Sequence, residues 1–383
     1  MFKSFVDCVR DIYRCDAFIP LHEPRFTGRE KEYVMETINS TFVSSVGSFV
    51  EKFERLVADY TGCRYAVATV NGTAALHMSL LLADVGQNDE VITQSLTFAA
   101  TCAAIRYCGA NPVFVDVDRT SLGLSPESLL EFLHENTEKD RRGLCRNRQS
   151  GKIIRACVPM HTFGHPARLT EIAEICSEYN LVLIEDAAES LGSMYKNRHT
   201  GRFGKMSVFS FNGNKIITTG GGGMIVTDDE SLAVRAKHLT TTAKKKHPWL
   251  YEHDEVGFNY RMPNLNAALG CAQMEQLKNF VIRKRELASE YTTWAGQQRV
   301  ELVTEPVDAY SNYWLNALLL KDRNERDSFL EFTNGNGVMT RPVWKPLHTL
   351  PMYKRDFSRN LQNTNWLAER LVNIPSSVVL NDE

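Results

Sequence analysis

Between about residue 50 and residue 230 the chain alternates short apolar runs with stretches of helical period. The runs are residues 65–69, 91–94, 112–116, 153–159, 181–185, 207–211 and 223–227, and helical patterns at 73–82, 98–108 and 169–178 lie between several of them. Strands separated by helices of that length need right-handed crossovers, which give a mostly parallel sheet covered on both faces. Runs such as Leu181-Val182-Leu183-Ile184 are apolar throughout, as strands buried on both sides should be. The expected class is α/β.

Beyond that region the pattern changes. Residues 264–288, rich in Ala, Leu, Gln, Glu and Lys, read as one or two helices. Residues 299–305, 314–320 and 337–341 then read as strands, and 326–334 and 361–372 as helices. This predicts an N-terminal segment over 1–30, a large α/β domain over 31–284 and a smaller C-terminal α+β domain over 285–383. Residues 135–149, charged and without periodicity, read as a solvated insertion loop.

Charge and cysteine content narrow the function classes. The 44 basic and 46 acidic residues give a net charge of −2, which removes the electrostatic case for a nucleic-acid binder. Nine cysteines without a C-x-x-C pair suit a reducing compartment better than a disulfide framework, so a cytoplasmic protein is expected. Phe2, Phe5, Val9, Ile12 and Tyr13, with charges between them, read as a short amphipathic helix rather than a signal peptide. No apolar stretch is long enough to span a membrane.

Five features bear on chemistry. Val70-Asn71-Gly72-Thr73 follows the first strand, where free N–H groups at a helix start can hold an anion or simply be capped by Asn71 or Thr73. Leu183-Ile184-Glu185-Asp186 brings an acid to a strand's carboxyl end, to hold a positive charge on a ligand or to cap a helix. Lys215 lies just beyond the run 207–211, either a surface lysine or a nucleophilic amine able to form a Schiff base. Gly220–Gly223 fails the dinucleotide fingerprint, because it precedes a strand, and reads as a flexible or closely packed turn. His161 and His165 are separated by a segment that Gly164 and Pro166 keep from being helical, so no metal site is expected there.

In this order the pieces resemble the pyridoxal-phosphate-dependent nucleotide-sugar aminotransferases, the DegT/StrS family of fold type I. The stretches that carry the resemblance include Asn71-Gly72-Thr73-Ala74-Ala75-Leu76, Thr97-Phe98, Glu185-Asp186-Ala187-Ala188 and Phe209-Ser210-Phe211 with Lys215. They continue through Thr218-Thr219-Gly220, Gly257-Phe258-Asn259-Tyr260-Arg261-Met262 and Pro346-Leu347-His348, so that about residues 18–375 are covered. The resemblance implies that Lys215 holds the cofactor covalently and moves the substrate proton, and that Asp186 faces the pyridine nitrogen. It implies that Phe98 stacks on the ring and that Gly72, Thr73 and Ser210 bind the phosphate. Asn259 would reach the phosphate from the partner subunit, making a homodimer with shared active sites.

Two departures stand out. Gly221 replaces a glutamate common in the family, with little chemical consequence expected. Glu189 stands where many relatives carry Gln or His near the cofactor oxygen, and a carboxylate there repels a phenolate unless one of them is protonated. The implied reaction is transfer of an amino group from glutamate to C4 of a nucleotide-linked 4-keto-6-deoxy sugar for surface-glycan synthesis. Residues 18–53 look most like the branch acting on UDP-2-acetamido-4-keto-2,6-dideoxyhexose for bacillosamine or legionaminic acid. A GDP-perosamine-type enzyme acting on GDP-4-keto-6-deoxymannose is the alternative. Lys244, Arg341 and His348 are candidates for the substrate diphosphate. A sugar dehydratase would carry His in place of Lys215, and a catalytically silent regulatory homologue would have lost Lys215 or Asp186.

Overall fold

The computed structural model describes residues 1–379. All seven apolar runs form strands: β1 (Tyr65–Thr69), β2 (Glu90–Gln94), β3 (Asn111–Val115), β4 (Ile154–Val158), β5 (Val182–Asp186), β6 (Met206–Ser210) and β7 (Gly223–Thr227). They make one sheet in the order β1-β7-β6-β5-β4-β2-β3. Only β7 runs against its neighbours, pairing antiparallel with β1 and β6. The link from β6 to β7 contains no crossover helix, so the chain can turn straight back there. The expected α/β class and mostly parallel sheet hold.

Both faces of the sheet are covered because its residues are apolar in both directions of the pleat. Val67, Ile184, Val208 and Ile225 face one core, while Leu183 and Phe209 face others on the opposite side. Four helices matter for the site: α1 (Phe2–Tyr13), α2 (Gly72–Leu82), α3 (Ala99–Tyr107) and α4 (Asn264–Gln298). The stretch expected as one or two helices over 264–288 is a single 35-residue helix. Tyr291, Trp294 and Ala295 prolong its buried side, and Arg299 ends it in the left-handed conformation, with φ 56°.

Helix α4 joins the large sheet to a smaller antiparallel one. Its residues Leu277, Phe280 and Val281 share a core with Phe209 and Trp314. Farther along, Leu287, Tyr291 and Trp294 share a core with Phe5 and Val9 of α1 and with Phe329. The expected amphipathic helix at the N-terminus therefore buries its apolar stripe against the C-terminal part of the chain. The smaller sheet contains β8 (Glu301–Leu302), β9 (Asn316–Leu319), β10 (Arg341–Pro342) and β11 (Leu371–Ile374), in the order β8-β9-β11-β10. Lys284 of α4, fully buried, donates to the Trp314 carbonyl at 3.0 Å and to the Ser376 carbonyl at 2.5 Å. Burial, with no carboxylate partner among the described residues, takes its pKa down to about 7.

Two local readings are corrected. Residues 135–149 are not an open loop: Thr137–Lys139 and Cys145–Asn147 pair as a hairpin that buries Thr137, Cys145 and Asn147. The helix read over 361–372 stops at Ala368, and Leu371–Ile374 forms the strand between β9 and β10. Leu371, Val372 and Ile374 are fully buried there, and a strand interior favours those side chains over a helix end. All nine cysteines are free. No helix among the described residues is long and apolar enough to cross a membrane.

Candidate active site

Strands β1, β2, β4, β5 and β6 end at the same edge of the large sheet, the edge where parallel α/β sheets bind ligands. Their last residues and the connections beyond them carry seven of the residues singled out by sequence, Gly72, Thr73, Phe98, Asp186, Glu189, Ser210 and Lys215, and all seven line one cavity of about 300 Å³. Trp314 and Trp344 complete the wall from the C-terminal part of the chain.

The anion-binding corner is set by close packing of backbone. Asn71 caps α2, its side chain accepting from the Ala74 N–H at 2.8 Å. The cap and the anion site are compatible, because the first turn still leaves the Gly72 and Thr73 N–H groups without helical partners. A Cβ on Gly72 would lie 3.1 Å from Cβ of Ser210, so a bare α-carbon lets the helix start beside the end of β6. Gly223 is tighter still: a Cβ there would lie 2.4 Å from the Asn71 carbonyl oxygen and 2.7 Å from the Gly72 nitrogen. The glycine run is thus a closely packed turn that seats the start of α2.

Asp186 ends β5 and is buried. Its Oδ2 accepts from the Thr101 hydroxyl at 2.7 Å and its Oδ1 from the Ala188 N–H at 3.3 Å. No helix follows it, so the helix-cap reading does not apply. Burial pushes its pKa above the ordinary value, against the pull of these two donors and of Lys215.

Lys215 is nearly enclosed. Its Nζ lies 3.2 Å from Oε1 of Glu189 and 4.0 Å from the centre of the Trp314 ring. The Trp314 indole N–H donates to the Asn214 carbonyl at 2.7 Å, tying that ring to the loop that carries the lysine. Glu189 also accepts from the Phe163 N–H at 2.9 Å. Burial pushes its carboxyl up to about 7, with the Lys215 charge opposing. Burial thus favours the neutral form of Glu189, the form that does not repel a phenolate.

Phe98 precedes α3 and is 52% exposed, a large apolar ring held at a cavity wall, with Trp344 edge-on at 6.3 Å. An amine, a buried acid, an open helix start and an exposed aromatic face together fit a phosphorylated pyridine aldehyde. Each group has its counterpart on that molecule.

Four sequence candidates lie outside the cavity wall. Asn259 is exposed, its Oδ1 accepting from Nε of Arg261 at 3.1 Å. Lys244 lies over the Tyr251 ring at 4.0 Å, and Arg341 is exposed on β10. His348 bonds Oγ of Ser95 through Nδ1 at 2.8 Å, and burial lowers its pKa. His161 and His165 are both buried in a 3₁₀ turn region. His161 bonds Glu185 at 3.2 Å, whereas burial takes His165 down to about 4. Among the described residues the one group placed to hold a metal is His238, Asp254 and Glu255, away from the cavity. Sequence reasoning did not single out Trp314. Trp344 lies two residues before the stretch Pro346-Leu347-His348 that carried the resemblance.

The comparisons with known proteins cover nearly the whole chain. The DegT/DnrJ/EryC1/StrS aminotransferase family matches residues 24–383. The GDP-perosamine synthase of Escherichia coli O157:H7 is 38% identical over 368 residues, 96% of this chain and 95% of that protein. The GDP-perosamine synthase of Vibrio cholerae is 33% identical over 371 residues, 95% of each. The crystal structure of the aminotransferase TlmJ from Streptoalloteichus hindustanus superposes with a TM-score of 0.85 at 28% identity, covering 95% of this chain and 94% of that one. The chain belongs to the DegT/DnrJ/EryC1/StrS aminotransferase family and is a pyridoxal-phosphate-dependent sugar aminotransferase.

Proposed function

We propose that the chain transfers an amino group from glutamate to C4 of a nucleotide-linked 4-keto-6-deoxy sugar, with GDP-4-keto-6-deoxymannose as the preferred acceptor. The observation that carries the reaction is the meeting of Lys215, Asp186 and the start of α2 in one cavity. Pyridoxal phosphate, when bound, supplies a reactive aldehyde carbon and a ring that takes up electrons. Lys215 is the amine for that carbon, and its Nζ is the group placed to carry a proton to and from the substrate. Asp186 keeps a proton on the ring nitrogen, Phe98 fixes the ring plane, and Gly72, Thr73 and Ser210 hold the phosphate.

Among the described residues Lys215 is the only cation lining the cavity. A sugar diphosphate and the glutamate carboxylates need further cations, which supports a homodimer whose sites are completed across the interface. Asn259 of the partner subunit is the proposed phosphate contact, and Lys244, Arg341 and His348 remain the candidates for substrate. A mixture of Lys215→Ala and Asn259→Ala chains should regain activity, since one hybrid site carries neither lesion. No recovery after verified subunit exchange would count against sharing.

The names of the two perosamine synthases support the GDP sugar over the UDP-2-acetamido sugar favoured by residues 18–53. Assay of both keto sugars with glutamate decides between them. The expected result is a kcat/KM at least about tenfold higher for the GDP sugar, a preference of ~1.4 kcal/mol in transition-state binding. The reverse preference would restore the uridine reading.

A further inference from the structure

Asp186 is held by a hydroxyl chain that comes from a different strand connection. Thr101 sits in the first turn of α3, and its Oγ1 lies 2.7 Å from Oδ2 of Asp186, with both residues buried. Behind it, Oγ1 of Thr97 lies 3.0 Å from Oγ1 of Thr101 and 2.8 Å from the Met160 sulfur. Hydrogen directions follow from the donor count. An ionised carboxylate only accepts, so the single Thr101 hydroxyl hydrogen is committed to Asp186. The Thr101 oxygen is then the acceptor for Thr97, since thioether sulfur is a poor competitor.

We propose that Thr101, backed by Thr97, is a positioning residue for transamination, holding Asp186 as an anion aimed at the ring nitrogen of the cofactor. The inference rests on the reading of Asp186 given above. Without the Thr101 hydroxyl Asp186 keeps only the longer Ala188 N–H contact at 3.3 Å; a buried carboxylate so short of donors takes up a proton more readily, and a neutral carboxyl no longer favours a protonated ring. The other groups facing Asp186 are poor substitutes. Lys215 comes from the turn after β6 but is committed to the reaction, and His161, from the turn after β4, bonds Glu185. Glu189, three residues along, and Cys102, beside Thr101 on α3, bring no fixed positive charge. Among the described residues Thr101 is the one side chain hydrogen-bonded to Asp186.

The test uses holoenzyme reconstituted with ring-¹⁵N pyridoxal phosphate, reading protonation of the ring nitrogen by NMR across pH, with thermal melts alongside. Thr101→Val keeps the shape and removes the donor. Its ring nitrogen should lose its proton about 1 pH unit or more below wild type, the scale of one hydrogen bond to a charged group. Thr101→Ser should restore the wild-type titration, and Thr97→Val should shift it the same way by less. Asp186→Asn should abolish the retained proton. If Thr101→Val folds poorly, Thr97→Val carries the test, because Thr101 is intact in it. Titration of both threonine variants with wild type, while Asp186→Asn differs, overturns the proposal and leaves Asp186 in its role. Titration of Asp186→Asn with wild type overturns both. A drop in melting temperature with an unmoved titration is a structural role only and also overturns it.

Discussion

Lys215→Ala should lose at least about 10³-fold in kcat while keeping its fold, because general acid–base and covalent catalysis are removed together. Among the described residues Lys215 is the only amine in the cavity wall, so none of them can substitute for it. The fold should tolerate the change for a physical reason. Glu189 loses the cation that opposes its burial, so its carboxyl, already raised to about 7, protonates more readily and leaves no buried charge behind. Lys215→Arg is the informative companion. It keeps a cation near Glu189 and Trp314 but offers no amine that deprotonates, so it should be stable and equally inactive. Turnover of Lys215→Ala at the wild-type rate would refute the assignment.

Glu185→Ala should instead damage the fold, by about 3 to 5 kcal/mol at neutral pH. Glu185 is fully buried on the other side of the strand from Asp186 and acts as an acceptor hub. It takes the N–H groups of Gly201, Phe203 and Gly204, each at 2.7 Å, the Ser207 hydroxyl at 3.0 Å, and His161 at 3.2 Å. Truncation would leave those donors in the interior without an acceptor. Burial pushes the Glu185 pKa up, but His161 and the Gly204 and Gly201 N–H groups outweigh it and hold the carboxyl below its ordinary 4.5. The unfolded chain therefore binds the proton first as pH falls. The charge-linked part of the stabilisation is present above about pH 4.5 and is lost as pH drops through the folded value, so the gap between wild type and variant should narrow in acid. Denaturant melts across pH read this directly, and equal stability at neutral pH would sink the hub.

The pair Glu185 and Asp186 shows what the sequence can and cannot disclose. Two acids at the end of an apolar run point to opposite faces by the pleat alone, but which one meets a ligand depends on tertiary packing. The seven strands of the large sheet were legible because burial on both faces leaves a continuous apolar signature, and most boundaries fell within a residue or two. The hairpin at Thr137–Lys139 and Cys145–Asn147 was hidden because two of the three residues it buries, Thr137 and Asn147, are polar and because its turn is set by Asp140, whose side chain accepts from the Arg142 and Leu144 N–H groups. Leu371–Ile374 was hidden because a four-residue segment with three apolar residues directly after a helix looks like more helix. In the site, Gly72, Thr73, Asp186 and Lys215 carried a local signal at strand ends, whereas Ser210 came only with the family resemblance. Trp314 carried no such signal: its ring reaches Lys215 from the bend just before β9, and its position depends on Lys284 and on the Asn214 carbonyl. Lys244, Asn259, Arg341 and His348 stand outside the cavity because they sit on segments whose approach to it no single-chain pattern fixes.

Borohydride reduction of the cofactor-loaded protein, followed by peptide mass mapping, tests the central claim most directly. The expected result is one pyridoxyl adduct per chain, on the peptide bearing Lys215 and absent from Lys215→Ala. An adduct on any other lysine, the buried Lys284 included, or no adduct at all on protein that turns over, would contradict it.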